Sequence, residues 1–422
     1  MMKHSGFSAA DILLPDFEKI DGSRWSVVAC DQFTSEPAYW EKAEALVGDS
    51  PSTLRLILPE AYLAETASRV PAINETMRNY VGKVLNTHPD SMIYLERVQS
   101  DGTVRRGIVG KVDLEMYDYH KGSQSAIRAT EGTVLERIPP RVAVRRGAVL
   151  ELPHVMLLID DPARTVIEPI AARADALATA YDFDLMLGGG HVCGRWLDEK
   201  AKAALEASLT ALVAPEQLEK RYGDANLSPL LFAVGDGNHS LASAKEAYNE
   251  VKAQIGEEAA KNHPSRYALV EIVNLHDAAL SFQPIYRVVF GIDPQALLSE
   301  LRAYAESLEG GMKPQRIDYI GQGIDGTVIF EHPAKQLTVG TLQDFLDGYV
   351  KAHPKAEVDY IHGESSVRAL SDRPDAIGFF FDGMGKDQLF RTVIYDGALP
   401  RKTFSMGHAE DKRYYLEARV IR

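Results

Sequence analysis

Short apolar runs alternate along the chain with longer stretches in which apolar residues recur at spacings of 3 and 4, the patterns of buried strands and one-sided helices. The runs at 54–58, 92–99, 104–114, 154–159, 230–234, 267–273, 282–290, 327–331 and 376–381 predict strands. Ser100-Asp101-Gly102-Thr103 between the second and third reads as a hairpin turn. Helical spacing predicts helices over 62–85, interrupted at Pro71, and over 167–180, 197–222, 297–308, 342–352 and 365–370. A further helix follows the run at 25–30, with Ser35 as a cap and Pro37 in its first turn. From 241 onward Leu241, Ala244, Tyr248, Val251 and Ile255 form one buried stripe, and the charged tail 408–422 reads as helix-like. Strands and helices interleave throughout, so the expected fold is mixed α+β, with a core over 1–290 and an α/β portion over 291–422.

Where an apolar run gives way to a helix, polar chemistry collects. Gly235-Asp236-Gly237-Asn238-His239-Ser240 joins the 230–234 run to the striped helix. Two glycines let backbone approach a ligand, and a helix start presents N–H groups and a positive dipole end to an anion. In one reading the turn holds a phosphate on these N–H groups, with His239 as donor and Asp236 orienting it or a divalent cation. In the other, Asp236 and Asn238 bond their own backbone and Ser240 caps the helix. The turn matches neither GxxxxGK[ST] nor GxGxxG.

Other stretches offer candidates. Asp31, Gln32 and Thr34 follow a short strand, where open sheets gather ligands, although a capping turn would place the same residues there. Arg128, Arg137, Arg141, Arg145 and Arg146 surround Glu131 and Pro139-Pro140, either as a solvated face or as an oxyanion clamp with Glu131 as base. Gly188-Gly189-Gly190 before His191 implies a flexible connection or a close backbone approach. Arg287 alternates against Tyr286 and Val288, and Lys402, Thr403 and Ser405 form either an anion loop or an exposed basic turn. Asp31, Gln32, His191, Arg287 and Lys402 are taken as substrate-binding candidates.

Charge narrows the partners. With 46 Lys+Arg against 60 Asp+Glu over 422 residues, the net charge of -14 argues against broad nucleic-acid or anionic-membrane binding. No run has the length to span a bilayer and the first ten residues lack a signal-peptide core, so a cytoplasmic location is expected. Cys30 and Cys193 lie far apart, which signals neither disulfide nor zinc knuckle.

The stretches SVVACDQFTSEPAYW, PSTLRLILPE, RATEG, VGDGNHSLASAK and LPRKTFSMGHAEDKRYYLEAR, in this order, resemble the bacterial family called domain of unknown function 1015. In much of that family the turn reads Asp-Gly-His-His-Arg. Asp236, Gly237 and His239 match it, whereas Asn238 and Ser240 replace a histidine and the arginine. That pattern in turn looks like the phosphate motif of the ParB/sulfiredoxin superfamily, which includes kinases of free serine. The resemblance implies a ParB/sulfiredoxin-like nucleotide-binding core with an additional α/β lobe. It implies a small-molecule kinase moving a phosphoryl group from ATP or ADP, with Mg²⁺ on Asp236, to a hydroxylated metabolite, free serine first. Asp236 and His239 would act at the phosphates with Gly235, Gly237, Asn238 and Ser240, while Glu131 would be the base, flanked by Arg128 and Arg141; members carrying His-Glu make Thr130 a departure. A nucleotide- or metabolite-binding regulator without turnover is the alternative.

Overall fold

The computed structural model describes residues 4–132 and 138–422. Arg137 lies outside them. The chain forms two compact units: Met1–Ala129 with Thr133–Leu280 and His408–Arg422, and Thr130–Gly132 with Ser281–Gly407.

The first unit is built on one mixed sheet. Its described strands run in the order Thr179–Asp184, His191–Trp196, Ile93–Val98, Val104–Asp113, Tyr267–Asn274, Met156–Ile159, Phe232–Asp236, Ile127–Ala129 and Tyr117–Asp118, with Phe7–Ser8 added alongside Val104–Asp113. Pairing is antiparallel from the first of these to Tyr267–Asn274; Met156–Ile159 then runs parallel to Tyr267–Asn274, and Phe232–Asp236 parallel to Ile127–Ala129. Tyr267–Asn274 is buried beyond its first residue, as a strand covered on both faces must be. Glu271 interrupts it with a charge. Gly107 makes room for that carboxylate, since a Cβ there would lie 2.3 Å from Glu271 Oε1.

Several sequence expectations change here. The 54–58 run is no strand: Thr53–Arg55 is a 3-10 turn, and Leu56 and Leu58 enter a side cluster with Trp25, Ile73 and Met77. A five-residue apolar run only requires burial, and here no neighbouring ladder accepts it. The 62–85 helix shortens to Thr66–Tyr80, because Leu85–Ser91 leaves to pair with Ala10–Pro15. Over 167–180 only Glu168–Ala171 is α-helical, and Thr179–Asp184 is already strand. Ser35 caps nothing; Pro37–Val47 starts behind Glu36 without a side-chain cap. The 197–222 helix breaks into Glu199–Leu212 and Pro215–Tyr222 at the proline.

The tail departs most. Instead of a helix it holds a 3-10 turn at Ala409–Asp411 and two short strands, Tyr414–Tyr415 on Val27–Val28 and Arg419–Val420 on Leu150–Glu151. Its charged residues Arg413, Glu417 and Arg419 are buried and matched: Arg413 reaches Glu271 and Glu417 at 2.9 and 2.6 Å, and Arg419 reaches Glu151. These pairs accompany a strand-and-turn backbone in place of the helix that the pattern suggested.

The triple glycine resolves as a close approach. It joins Thr179–Asp184 to His191–Trp196, with Gly188 and Gly190 at φ +83° and +75°, and a Cβ on Gly190 would sit 2.0 Å from the Val98 carbonyl oxygen. Gly190→Ala is therefore expected to cost about 1–3 kcal/mol, measured as a lower urea midpoint; an unchanged midpoint would show that the hairpin relaxes freely.

The second unit has its own sheet, ordered Ile324–Phe330, Gln315–Gly321, Ala376–Phe380, Phe282–Phe290, Glu357–His362, with Phe404–Met406 on the first residues of Phe282–Phe290. Helices Pro294–Ser307, Thr338–Ala352, Glu364–Ser371 and Lys386–Tyr395 accompany it. The observed fold is thus mixed α+β. Among the described residues no helix is long and apolar enough to cross a membrane.

Candidate functional site

Phe232–Asp236 ends in the expected turn. Gly237 adopts φ +81° as the residue before the Asn238–Ile255 helix, and a Cβ there would come within 3.0 Å of Val155 Cα. Left-handed backbone and crowding both select glycine. The helix buries Leu241, Ala244 and Tyr248, but Ile255 is 45% exposed, so the stripe is buried only at the end nearest the turn. As the N-cap, Gly237 supplies no side-chain acceptor.

Asp236 has two roles at once. Its Oδ1 accepts the N–H of the next residue, Gly237, at 2.9 Å, and its Oδ2 lies 3.2 Å from Lys412 Nζ in the tail. Ser240, the third helical residue, is not the cap. Its Oγ lies 3.0 Å from Nε2 of His154, whose Nδ1 lies 2.9 Å from the Tyr415 hydroxyl. Asp31 Oδ2 stands 3.8 Å from the same Nε2, and Gln32 donates to Asp31 Oδ1 at 3.0 Å. Next to them, Cys30 N–H donates to Tyr415 Oη, Glu60 N–H donates to the Cys30 carbonyl, and Arg141 pairs with Glu60. Segments far apart in sequence thereby meet around the turn.

Electrostatics follow from this burial. Burial works to raise the Asp31 pKa, but His154, the Gln32 bond and Lys412 together hold it below its ordinary value. Burial, reinforced by Asp31, pushes the Cys30 thiol up to about 12, so it stays protonated. Burial also drives Tyr415 well above the ordinary phenol value. Beside this network lies a cavity of about 200 Å³. Its polar lining includes Cys30, Glu60, Arg141, His154, Ser240 and Tyr415, together with Ser243 and the Arg145–Glu151 ion pair, and leucines, Ile73, Met77 and Val144 dominate the remainder.

The other candidates are placed as follows. Gly235 packs on Leu158; Asn238 and His239 are the first two helical residues, both half-buried. Arg128 is buried and donates to the carbonyls of Ser125 and Ser228. His191 lies on the hairpin between Asp182 and Asp184, whose carboxylates raise its pKa against the opposing effect of burial. Five strand positions separate its strand from Phe232–Asp236, roughly 24 Å at the usual spacing. Arg287 is fully buried in the second unit and donates to Gln343 and to the carbonyls of Arg401 and Lys402. Lys402 stands exposed at φ +52° with its ammonium over the Tyr360 ring. Glu131 belongs to the second unit, where its backbone bridges to Leu399.

The structure thus gathers Asp31, Gln32, Asp236, Ser240 and Arg141 around the turn or its adjoining cavity. It adds His154, Lys412, Tyr415 and Glu60, which the sequence reading did not single out. A histidine opening a buried apolar run was the available signal for His154; Lys412 and Tyr415 stood inside the family-like tail motif. For a metal, Asp236 offers one carboxylate already facing an ammonium, and among the described residues no group of three or more His, Cys, Asp or Glu is arranged to hold an ion. The residues do not form a resident Mg²⁺ site.

A family model described as "Protein of unknown function (DUF1015)" matches residues 14–362. The chain belongs to that family. A search of curated proteins found no match. Among solved structures, this DUF1015 member is similar to a conserved hypothetical protein from Pyrococcus furiosus at 11% identity and TM-score 0.34, covering 71% of this chain and 90% of that one. It is also similar to a free serine kinase in complex with AMP at 11% identity and TM-score 0.36, covering 72% and 90%. A third is SbnI with C-terminal truncation from Staphylococcus aureus, at 9% identity and TM-score 0.34, covering 71% and 82%. At these values the likenesses assign no ligand or reaction to the DUF1015 chain.

Proposed function

We propose that the 235–240 turn binds the phosphates of a nucleotide and that the protein transfers a phosphoryl group to a hydroxylated metabolite, free serine being the first candidate. The observation that carries the reading is Lys412 Nζ held 3.2 Å from Asp236 at the start of an 18-residue helix begun by a left-handed glycine. A cation, a dipole end and closely approaching backbone together suit an anion. The family pattern around Asp236, Gly237 and His239 supports phosphate as that anion. Serine at 240 replaces the family's arginine, so the positive charge comes from Lys412 instead. Any Mg²⁺ enters with the nucleotide, bound chiefly by phosphate oxygens.

ADP and ATP are expected to raise the melting temperature with and without Mg²⁺, with a stabilisation of about 2.7 kcal/mol at 100 times Kd. Lys412→Met should weaken binding by roughly tenfold, the loss of one charge-assisted contact. ADP release should require added serine or a related hydroxylated metabolite. A folded protein that no nucleotide stabilises ends the proposal. The existing Asp236–Lys412 pair favours a second reading, a regulator in which ligand phosphate exchanges with the carboxylate at Lys412; it predicts nucleotide stabilisation with no release of ADP.

A further inference from the structure

We infer that Ser240 is a nucleophile activated by His154, and that its substrate is a short-chain acyl ester seated in the apolar cavity both side chains line. This goes beyond nucleotide binding at the turn and does not depend on it. Ser240 is the third helical residue rather than the N-cap, and its hydroxyl sits 3.0 Å from a buried imidazole nitrogen. The other ring nitrogen is fixed by Tyr415 Oη at 2.9 Å, whose hydroxyl contacts the Cys30 thiol in turn. With Nδ1 protonated and donating to Tyr415, Nε2 is left to accept the Ser240 proton. Nucleophile, base and orienting group stand in the relation that acyl-transfer sites require, independently of chain order.

The surroundings select the substrate. The cavity wall is mainly aliphatic, with Leu56, Ile73, Met77, Val144 and Leu241 contributing, and its volume of about 200 Å³ lies below the usual range for a whole drug-sized ligand or cofactor. It suits a few methylenes. The positive end of the helix dipole lies at Ser240, where negative charge develops on a carbonyl oxygen. Asp31 Oδ2, 3.8 Å from Nε2, offsets the charge of the imidazolium.

In the reaction Ser240 Oγ attacks the ester carbonyl carbon, forming a C–Oγ bond as the hydroxyl proton passes to His154 Nε2. The ester C–O bond breaks and the alcohol departs with that proton. Water then attacks the acyl-serine carbonyl and gives a proton to Nε2; the carboxylic acid leaves and the proton returns to Oγ. One ester and one water yield one acid and one alcohol.

The test treats the full-length protein with a short-chain alkyl fluorophosphonate and maps the adduct by mass spectrometry. One adduct on Ser240 is expected, absent in Ser240→Ala and formed about 100-fold more slowly in His154→Ala, the scale of a lost general base. His154→Gln replaces the latter if alanine does not fold. Hydrolysis of a butyrate ester should exceed that of a long-chain ester. Asp31, Ser240, Tyr415 and, through Tyr415, Cys30 face the imidazole, so Tyr415→Phe should move the pH of half-maximal labelling downward by removing the acceptor for Nδ1–H. A midpoint that does not move removes Tyr415 as the positioning residue. Folded wild type without an adduct on Ser240, or labelling unaffected at residue 154, overturns the nucleophile; labelling without butyrate hydrolysis overturns the acyl assignment.

Discussion

Arg413→Ala is expected to destabilise the first unit by about 3–5 kcal/mol, the cost of leaving buried charge uncompensated. The guanidinium is 2% exposed and lies between two fully buried carboxylates, Glu271 at 2.9 Å and Glu417 at 2.6 Å. Arg105, 3.4 Å from Glu271, stays as that carboxylate's cation, whereas Glu417 keeps only the neutral Tyr181 hydroxyl on its other oxygen. Burial opposes the Arg413 charge, but Glu417 and Glu271 outweigh it and raise its pKa. Arg413→Lys should fall between wild type and alanine, because an ammonium lacks the fork that serves both carboxylates. The measurement is urea unfolding followed by tryptophan fluorescence: Trp25, Trp40 and Trp196 all belong to the first unit, so the signal reports that unit alone. A loss below about 1 kcal/mol, the range of exposed ion pairs, would mean that water reaches the network. The same change should loosen the tail that carries Lys412 and Tyr415, so nucleotide stabilisation and Ser240 labelling should weaken with it.

Acid should act on the second tail anchor. Glu151 is buried, which by itself raises its pKa, yet Arg419, Arg145 and the Leu269 N–H bring it below the ordinary 4.5. A carboxylate depressed on folding adds stability that is fully present above the unfolded pKa and lost as pH falls through the folded one. Wild-type stability from this group should therefore hold above pH 4.5 and decline below it. Arg419→Met removes one of the two guanidiniums paired with buried Glu151 and leaves Arg145 as the other, at a cost of about 3 kcal/mol near neutrality. Protonation at low pH relieves the carboxylate that Arg145 alone then compensates, so the gap between variant and wild type should narrow as pH falls. Stability curves that stay parallel from pH 7 to about pH 4 would show that Glu151 does not carry the linkage.

Reading the sequence located the turn, most strands and the hairpin at 100–103, because each depends on neighbours close in sequence. Phe282–Phe290 appears at the expected residues, and the turn at Gly237 leads into a helix as expected. Isolated apolar runs and charged segments were less informative. Leu54–Leu58 had the composition of a strand and became a turn packed beneath a helix, since burial satisfies an apolar run in any backbone geometry. The candidate site divided the same way: Asp31 and Ser240 were visible as polar residues at strand or helix junctions, whereas His154 and Lys412 acquired significance only through partners far away in sequence.

By itself, then, the sequence determined the alternation of strand and helix, the mixed α+β class and the glycine-framed turn, all products of short-range periodicity and backbone freedom. Tertiary structure alone decided that the tail would be a buried strap rather than an exposed helix. Arg413 and Arg419 read as surface charge until Glu271, Glu417 and Glu151 arrive beside them, and burial of a charge is favourable only when its partner is in place. That pairing brings Lys412 to Asp236 and Tyr415 to His154, and with them the chemistry of the site.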